Sequence, residues 1–505
     1  MIECSYKSES NHIPMNKNHS GKIKLAVTVA LKKEVPHDWF MSQDVPVFTL
    51  KALKAGVSGS LRPDHRGTMV VITGPGPDGA KDAATWISEN LKPLFVVNVG
   101  TCGILDRRYP AGEWFIPETI MNEKGENTRN DTRIPFPNHE KMTCIPSLLS
   151  VKKADMNGSP GQQSIVDMEG YAQARVFAGL DITFHCLKMG TDYSDDKMIS
   201  DFQSNLELFV DRFRKLFSFI EQDKTDVTVI IPVYNRQEIV SRAIDSVLDQ
   251  SCPPDEVIVV NDGSTDSTAH ILSKYGDKIT VIDLPLNSGA SAARNAGVRH
   301  SNTAWVSFLD SDDCWSGDKL DKQMAYLRQY PFYEIIQSNE IWIRKGVRVN
   351  QCSHHKKPEG WIWEPSLERC LISPSGVLMK KSLFDRYGGF DESLPACEDY
   401  DLWLKIARHH PVGLEPSLSV TKYGGHSDQL SQKYPAMDRF RVKSMLGLLK
   451  DEAEGDYREK MVHVLNAKLN ILLAGYEKRS KKSDADECRK ILDNLLKYSN
   501  GTAVV

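Results

Sequence analysis

The chain has 505 residues, of which 40% are hydrophobic and 26% charged, and its formal net charge is −4. This length predicts two or three domains, and the slight acidic balance gives no general reason to expect nucleic-acid binding. No apolar run is long enough to span a bilayer. The first twenty residues are polar and lack the apolar core of a signal peptide. The ten cysteines include no Cys-x-x-Cys pair, which excludes a metal finger of that spacing. Together these features predict a cytoplasmic protein, with residues 1–21 as a disordered leader.

Apolar strands and a helix alternate in the first part of the chain. The predicted elements are strands at Lys24–Ala30, Thr68–Thr73 and Pro93–Val99, with a helix from about Ala80 to Asn90. Gly74–Gly79, between the second strand and the helix, has the form Gly-x-Gly-x-x-Gly of a dinucleotide fingerprint. Two prolines inside this turn, and no acidic residue ending a neighbouring strand at the expected distance, argue against a dinucleotide oxidoreductase.

An apolar stripe at helical spacing closes this region before a polar junction at 221–226. Its members are Leu206, Phe209, Val210, Phe213, Leu216, Phe217 and Ile220. A further strand is predicted at Thr183–Met189. The first domain is therefore expected to span residues 22–222.

The order of motifs in this domain resembles the purine nucleoside phosphorylase superfamily, most of all the nucleosidases that cleave methylthioadenosine and adenosylhomocysteine. The family's Ala-Met-Glu-x-Glu element is similar to Ala30–Glu34, and its Asn-x-Gly-x-Ala-Gly turn is similar to Asn98–Gly103. Its Glu-Met-Glu and Ser-Asp elements are similar to Asp167–Glu169 and Thr191–Asp192. The resemblance implies an α/β domain that takes a purine nucleoside.

The same resemblance implies a role for each matching residue. Glu34 would activate water, Met168 and Glu169 would hold the ribose, and Asp192 would protonate the departing purine. A carboxylate suits the ribose because it accepts hydrogen bonds from two adjacent hydroxyls. The interval from Gly103 to the ribose motif is shorter than expected for the family. A nucleoside hydrolase or phosphorylase and a non-catalytic, nucleoside-sensing domain therefore both stay open, as does a core role for Met168.

In the second part of the chain, strands and helices alternate with short connections. The predicted strands are Val227–Ile231, Glu256–Val260, Lys278–Leu284 and Trp305–Leu309. This repetition predicts a parallel sheet. Polar residues follow the carboxyl end of each strand, where ligands of open α/β sheets bind; they are Asn235, Asp262, Gly289 with Arg294, and Asp310 with Asp312.

Three carboxylates occur within four residues after the last of these strands, at Asp310, Asp312 and Asp313. Carboxylates this close repel each other, so they favour a divalent cation or a cationic partner. A solvated Asp-rich turn is the alternative.

The segment from about 226 to 431 resembles the family 2 glycosyltransferases, which have the GT-A fold. The matching stretches read Val-Ile-Ile-Pro-Val-Tyr-Asn-Arg, Val-Val-Asn-Asp-Gly-Ser-Thr-Asp, Asn-x-Gly-x-Ser-x-Ala-Arg-Asn-x-Gly and Phe-Leu-Asp-Ser-Asp-Asp. As a set these motifs are very specific. The resemblance implies a transferase that uses a nucleotide-diphosphate sugar.

The implied donor-side roles follow residue by residue. Pro232, Tyr234 and Asn235 would line the nucleotide pocket, and Asp262 would read the base or ribose. Gly289 and Arg294 would lie against the ribose and diphosphate. Asp310 and Asp312 would form the Asp-x-Asp motif, with Asp312 as the direct ligand of Mg²⁺ or Mn²⁺.

The implied acceptor-side roles fall later in the chain. Asp399 matches the family's general base, which takes the proton of the acceptor hydroxyl, and Glu398 would orient it. The alternative is a helix that begins with acidic residues, which favours the helix dipole. His426 is a candidate metal ligand or a plain loop histidine. Trp361 and Trp363 would stack on a sugar or pack in the core.

The remaining residues, 435–505, carry two amphipathic stretches joined by a basic linker at 478–482 and predict a helical hairpin on the transferase domain. The linker is expected to be a solvated connector, with a partner or membrane-surface role as the alternative. The predicted fold class is thus α/β throughout: a nucleoside phosphorylase-like domain, a GT-A domain with a mainly parallel sheet at 226–434, and the helical extension.

The leading hypothesis for function is an inverting, metal-dependent glycosyltransferase fused to a nucleosidase-like domain. Its expected partners are a nucleotide-diphosphate sugar donor, a glycan, glycolipid or protein acceptor, and a purine nucleoside at the first domain. A peripheral position at the inner face of the membrane and a homo-oligomer stay open. The rival hypotheses are nucleoside hydrolysis as the main activity and a non-catalytic ligand-binding scaffold.

Overall fold

The computed structural model describes residues 23–54, 67–137, 140–151, 165–193, 198–221, 225–350, 355–425, 433–434, 436–451 and 455–499. The chain divides into two compact units, residues 1–223 with 327–332, and residues 224–326 with 333–505. The expected leader at residues 1–21 and the candidate ligand His426 both lie outside the described residues. The domain bounds inferred from the sequence stay predictions.

The first unit is an α/β layer structure. Its described elements are β1 (Leu25–Val29), a 3-10 helix (Lys32–Glu34), α1 (His37–Ser42), β2 (Val47–Thr49), α2 (Leu50–Lys54), β3 (Thr68–Ile72), α3 (Pro77–Asn90), β4 (Phe95–Ile104), β5 (Trp114–Asn122), β6 (Asn127–Arg129), β7 (Met142–Ser150), β8 (Ile165–Asp167), α4 (Gly170–Phe177), β9 (Thr183–Asp192), α5 (Met198–Leu216) and a 3-10 helix (Ser218–Glu221). The strands follow the order β2-β3-β1-β4-β8-β7-β5-β6, with β9 paired to β4 and β5.

Fully buried apolar strands form the centre of this sheet. All five residues of β1 and of β3 are buried, as expected for strands covered on both faces. The predicted stripe on α5 is confirmed, because Phe209, Phe213 and Leu216 on this helix are buried. The strand and helix positions inferred from the sequence are thus largely confirmed.

The predicted turn at Asn98–Gly103 is wrong, because these residues belong to strand β4. Parallel pairing with β9 continues along this stretch, from Phe95 opposite Thr183 to Gly103 opposite Asp192. The partner strand supplies the ladder hydrogen bonds that a glycine-rich stretch would otherwise lose. Thr191 and Asp192, expected after the strand, are likewise its last two residues.

The second unit contains a second α/β sheet followed by helices. Its described elements are β10 (Val227–Val233), α6 (Val240–Leu248), β11 (Glu256–Asn261), α7 (Thr268–Ser273), a 3-10 helix (Gly276–Lys278), β12 (Thr280–Asp283), α8 (Ala290–His300), β13 (Trp305–Phe308), β14 (Cys314–Trp315), α9 (Lys319–Gln329), β15 (Ile335–Arg344), β16 (Val347–Val349), α10 (Trp363–Ser366), a 3-10 helix (Pro374–Gly376), β17 (Val377–Lys380), α11 (Lys381–Arg386), α12 (Glu398–Ala407), β18 (Gly413–Gly424), α13 (Asp438–Asp451), α14 (Asp456–Lys478) and α15 (Lys482–Ser499).

The four predicted strands of this unit do form a parallel sheet. The order is β12-β11-β10-β13-β17-β15-β18-β14, and β12, β11, β10 and β13 pair in parallel. The second half of the sheet was not foreseen. There β17 runs antiparallel to β13 and β15, which makes the sheet mixed. The predicted strand ended at Ile231, but β10 continues through Pro232, which lies opposite Val260. The α/β fold class is confirmed.

Three helices rather than two end the described chain. The hairpin of α14 and α15 is present as predicted, and α13 precedes it. Apolar residues of α13 and α14, including Met445, Leu465 and Leu469, join the same buried cluster as Trp403 of α12. The helices are therefore part of the second unit's core. Within the described residues, no helix is both long and apolar enough to cross a membrane.

Candidate active sites

In the second unit, Asp262 holds the loop that leads into α8. Its two carboxylate oxygens accept hydrogen bonds from the backbone N–H groups of Ser288 (2.7 Å) and Gly289 (2.8 Å). Gly289 precedes the helix with φ of +94°, a conformation that disfavours any residue with a Cβ. The buried Asp262 thus fixes the N-terminus of α8, the helix that carries Arg294.

Arg294 connects two predicted site motifs that are far apart in the sequence. Its Nη2 donates to Asp310 Oδ1 at 2.6 Å, and its Nη1 donates to Glu398 Oε1 at 2.7 Å. Burial disfavours the charge of Asp310, but Arg294 and Lys422 outweigh it and hold the pKa of Asp310 below its usual value. For Glu398 burial dominates and raises the pKa, while Arg294 opposes the rise. The structure therefore brings the Asp-x-Asp motif and the acidic start of α12 together.

The acidic cluster after β13 could hold a metal ion by its geometry. One oxygen each of Asp310, Asp312 and Asp313 lies within 4.8 Å of the others. Asp313 is occupied by protein donors, because it accepts from Ser375 Oγ (2.7 Å) and the Tyr423 N–H (3.2 Å). Burial raises the pKa of Asp313 to about 7. A donor set made only of carboxylate oxygens fits Mg²⁺ or Mn²⁺, with Asp312 and Asp310 as the candidate ligands.

Asp399 lies in the first turn of α12, next to Glu398. Its Oδ1 accepts from the Tyr400 N–H at 2.7 Å, and its Oδ2 accepts from the Cys370 thiol at 3.4 Å. Asp399 is half-buried, and both donors to its carboxylate are neutral. The neighbouring acid, Glu398, is buried. Cys370 was not identified from the sequence, since a lone cysteine carries no motif.

Lys422 on β18 is a second residue that the sequence analysis missed. Its Nζ donates to Ser373 Oγ at 3.0 Å. Burial lowers the pKa of Lys422, but the carboxylates of Asp313, Glu340, Asp310 and Asp399 outweigh this effect and raise it. The ammonium is thus a shared counter-charge for the acids of the site. Lys422 stands four residues before the candidate ligand His426 in the sequence, and this proximity was the available signal.

The predicted nucleotide-pocket residues cluster at the end of β10. Pro232 is buried, Asn235 is half-buried, and Tyr234 is 41% exposed. Asn235 has φ of +51°, which asparagine tolerates better than most residues. Its Oδ1 accepts from the Thr265 N–H at 2.8 Å, so the ends of β10 and β11 are tied together. Tyr234 leaves an aromatic face accessible to a base.

The two tryptophans considered for sugar stacking differ in the structure. Trp363 is 2% exposed and belongs to the buried cluster, so a stacking role for it is wrong. Trp361 is half-buried, and its stacking role stays a prediction.

In the first unit, the four predicted residues Glu34, Met168, Glu169 and Asp192 line one cavity of about 300 Å³. They come from three places in the chain: the 3-10 helix after β1, the turn between β8 and α4, which carries both Met168 and Glu169, and the end of β9. The wall also contains apolar side chains, which include Phe202 on α5. The tertiary structure therefore brings this predicted set together.

Neutral donors hold two of these acids. Glu34 is 1% exposed and accepts from the Leu31 N–H (2.9 Å) and from Thr101 Oγ1 (2.8 Å). Thr191 Oγ1 donates to Asp192 Oδ2 at 2.9 Å. These contacts orient both carboxylates at the cavity wall.

Glu169 is positioned by the turn that resembles a dinucleotide fingerprint. The N–H of Gly76 donates to Glu169 Oε1 at 3.0 Å, and Gly76 has φ of +88° just before α3. The glycine-rich turn therefore serves this cavity. Gly76 was missed because its motif indicated another class of site.

Comparisons with known proteins find a family resemblance in each unit. Residues 228–387 match the family model described as glycosyl transferase family 2, and residues 24–163 match the model of the phosphorylase superfamily. The two resemblances inferred from motifs are confirmed for these segments. Each match covers less than half of the chain.

Similar proteins are named for glycosyl transfer. An uncharacterized glycosyltransferase of Rickettsia bellii is 34% identical over 43% of this chain and 33% of its own length. The chain thus spans about a third of that relative. The Escherichia coli protein UDP-Glc:alpha-D-GlcNAc-diphosphoundecaprenol beta-1,3-glucosyltransferase WfgD is 28% identical over 50% of this chain and 95% of its own length. The solved structure of S. aureus TarS 1-349 in complex with UDP-GlcNAc is 21% identical, with a TM-score of 0.45, over 54% of this chain and 81% of that one.

Proposed function

We propose that the second unit is an inverting, metal-dependent glycosyltransferase that moves a sugar from a nucleotide-diphosphate donor to an acceptor hydroxyl. The observation that carries this proposal is the bridge from Asp310 through Arg294 to Glu398. Arg294 contacts the donor-side acid Asp310 and Glu398, which precedes the candidate base Asp399 in the sequence. This bridge supports one shared site at the edge of the sheet where α/β proteins bind ligands.

Each protein group has a task in the proposed reaction. Asp262 orders the loop at 288–289, and backbone N–H groups at the start of α8 favour a negatively charged ligand. Asp399 takes the proton of the acceptor hydroxyl as it attacks the anomeric carbon from the face opposite the leaving group. Glu398, fixed by Arg294, orients the turn that carries Asp399. A divalent Mg²⁺ or Mn²⁺ held by Asp312 and Asp310 would neutralise charge on the leaving diphosphate.

The donor and acceptor are proposed by class. The name of the E. coli relative states a UDP-linked glucose and a lipid-diphosphate-linked sugar for that protein. By analogy, the donor here is a nucleotide-diphosphate sugar and the acceptor is a hydroxyl of a glycan, glycolipid or protein. Tyr234, with its exposed ring, and Asn235 are the proposed base contacts.

The test replaces Asp399 and Asp312 separately by asparagine and measures release of nucleoside diphosphate with a panel of donors and Mn²⁺. Each change is expected to lower turnover by about a hundredfold to a thousandfold, because it removes a proton acceptor or a group that stabilises developing charge. Asp318→Asn is the matched control, since Asp318 pairs only locally with Lys322 and Ser316. Wild-type turnover in either site variant would remove that assignment.

The cavity of the first unit favours a second candidate function, hydrolysis of a purine nucleoside. Glu34 activates water, Asp192 protonates the departing base, and Met168 with Glu169 holds the ribose. The supporting observation is that these four residues, which belong to three separate motifs of one family resemblance, line the same cavity.

Adenine release from methylthioadenosine by the full-length chain tests this second function. Glu34→Gln and Asp192→Asn are each expected to abolish release, while the exposed Glu118→Gln leaves it unchanged. Tight binding of the nucleoside without any release by the wild-type chain would instead favour a sensing domain.

A further inference from the structure

A buried cation lies beside the cavity of the first unit, and the proposed hydrolysis gives it no task. The side chain of Lys188 on β9 is 1% exposed, and its Nζ lies 2.9 Å from Asp167 Oδ2 and 4.0 Å from Glu169 Oε2. A buried ammonium is unfavourable unless its partners offset the loss of water. Burial lowers the pKa of Lys188, and the carboxylates of Asp167 and Glu169 outweigh this and raise it. The side chain therefore stays charged.

Asp167 connects this ammonium to the turn that carries Glu169. Besides Lys188, it accepts from Ser150 Oγ and from the Gly170 N–H at 2.9 Å. Gly170 begins α4 and directly follows Glu169. The first acid of the Asp167–Glu169 motif is thus occupied by three donors, so its part is to fix the turn.

Glu169 is surrounded by groups that pull its ionisation in opposite directions. Burial raises its pKa, and the carboxylates of Asp167 and Glu34 add to the rise. Lys188 and the Gly76 N–H act against it. Only the anion can accept hydrogen bonds from both hydroxyls of a ribose with both of its oxygens. Lys188 therefore favours the ionised form of Glu169, which is the form that a ribose needs.

The neighbouring strand leaves room for the ammonium. A Cβ on Gly100 would lie 3.2 Å from Lys188 Nζ, closer than most side chains pack. Gly100 is inside β4, where no turn requires a glycine. A side chain at this position would therefore crowd the ammonium.

We propose that Lys188 is a positioning residue, whose ammonium holds Asp167 and Glu169 so that Glu169 faces the cavity as an anion ready for two adjacent ribose hydroxyls. The ribose part of this proposal rests on the nucleoside function proposed above. The part that assigns a positioning role to Lys188 does not depend on that function, since it concerns only the charge state and the place of the Glu169 carboxylate.

The experiment follows the titration of Glu169 by carboxyl ¹³C NMR of the full-length chain, with the signal assigned by its loss in Glu169→Gln. Lys188→Met is expected to move the midpoint at least one pH unit upward, because the anion loses its nearest cation. Lys188→Gln, which keeps a donor for Asp167, should show the same shift even if the methionine variant fails to fold. Lys188→Arg should restore the wild-type midpoint.

The matched control is His185→Gln, on the same strand and 3% exposed, which should leave the midpoint unchanged. A wild-type midpoint in Lys188→Met and Lys188→Gln would overturn the proposal. Binding of methylthioadenosine, measured on the same samples at pH 8 and pH 6, is expected to be weaker at pH 6 than at pH 8 in the neutral variants only. Failure of the wild-type chain to bind at either pH would refute the nucleoside function, and the NMR midpoints would still decide the role of Lys188.

Discussion

The two sites bury carboxylates in opposite ways. In the first unit, Glu34 and Asp192 accept from neutral N–H and O–H groups, and Lys188 faces Asp167 and Glu169. In the second unit, Arg294 bridges two acids directly, and Lys422 neutralises several more.

This difference follows from what each site is proposed to bind. A nucleoside carries no charge, so hydrogen-bonded carboxylates suffice to orient it. A nucleotide diphosphate carries several negative charges, so the acids that surround it need cations of their own. The comparison predicts that substitutions that remove a charge damage the second unit's site most. It also predicts that the first unit's site is more sensitive to added side-chain volume.

The largest effect is expected from Arg294→Met. It leaves the buried Glu398 and Asp310 without their shared partner, and breaking such a pair costs about 3–5 kcal/mol. Denaturant unfolding of the full-length chain should show early loss of the second unit, with no measurable sugar transfer. Arg294→Lys keeps the positive charge but cannot bond both acids with one planar group. Its free energy of unfolding should lie between those of Arg294→Met and the wild type. A stability of Arg294→Met equal to that of the wild type would contradict the charge-pairing half of the comparison.

An intermediate effect is expected from Gly100→Ala in the first unit. The added methyl group meets Lys188 Nζ, and overpacking of this kind costs about 1–3 kcal/mol. The double variant Gly100→Ala with Lys188→Ala lacks the ammonium that the added methyl group would contact. Its loss of stability should therefore be smaller than the sum of the two single losses. The free energies of unfolding of the four chains provide the measurement. Strictly additive costs would show that space around Lys188 is not what Gly100 provides.

The smallest effect is expected from Cys370→Ala, because the thiol is a weak, neutral donor to Asp399. The thiol helps to hold the carboxylate of Asp399 in place, and its removal changes no charge. Turnover should fall by about twofold to threefold, which corresponds to roughly 0.5 kcal/mol. Cys370→Ser, which keeps a donor at this position, should restore the wild-type rate. A hundredfold loss in the alanine variant would place Cys370 among the groups that touch substrate.

Motif spacing was sufficient for some features of this protein. Asp262, Asp310 and Glu398 were proposed from short stretches, because each follows a recognisable strand or starts a helix. Arg294 was proposed from the motif that resembles the glycosyltransferase family. The ends of strands were harder to place. Asn98–Gly103 has the composition of a turn, yet pairing with β9 makes it a strand.

The sequence by itself determined the α/β class, the parallel half of the second sheet and the acids that follow its strands, since these depend on local apolar runs and on residues close together in the chain. Only the tertiary structure decided which charges meet. Arg294 joins acids 16 and 104 residues away, and Lys188 meets a motif some twenty residues earlier in the chain. Lys422 serves acids of the loop after β13, of β15 and of α12. The reason is physical: the place of a buried cation is determined by the carboxylates that the fold brings to it, and contacts between distant segments leave no periodic signal in the sequence.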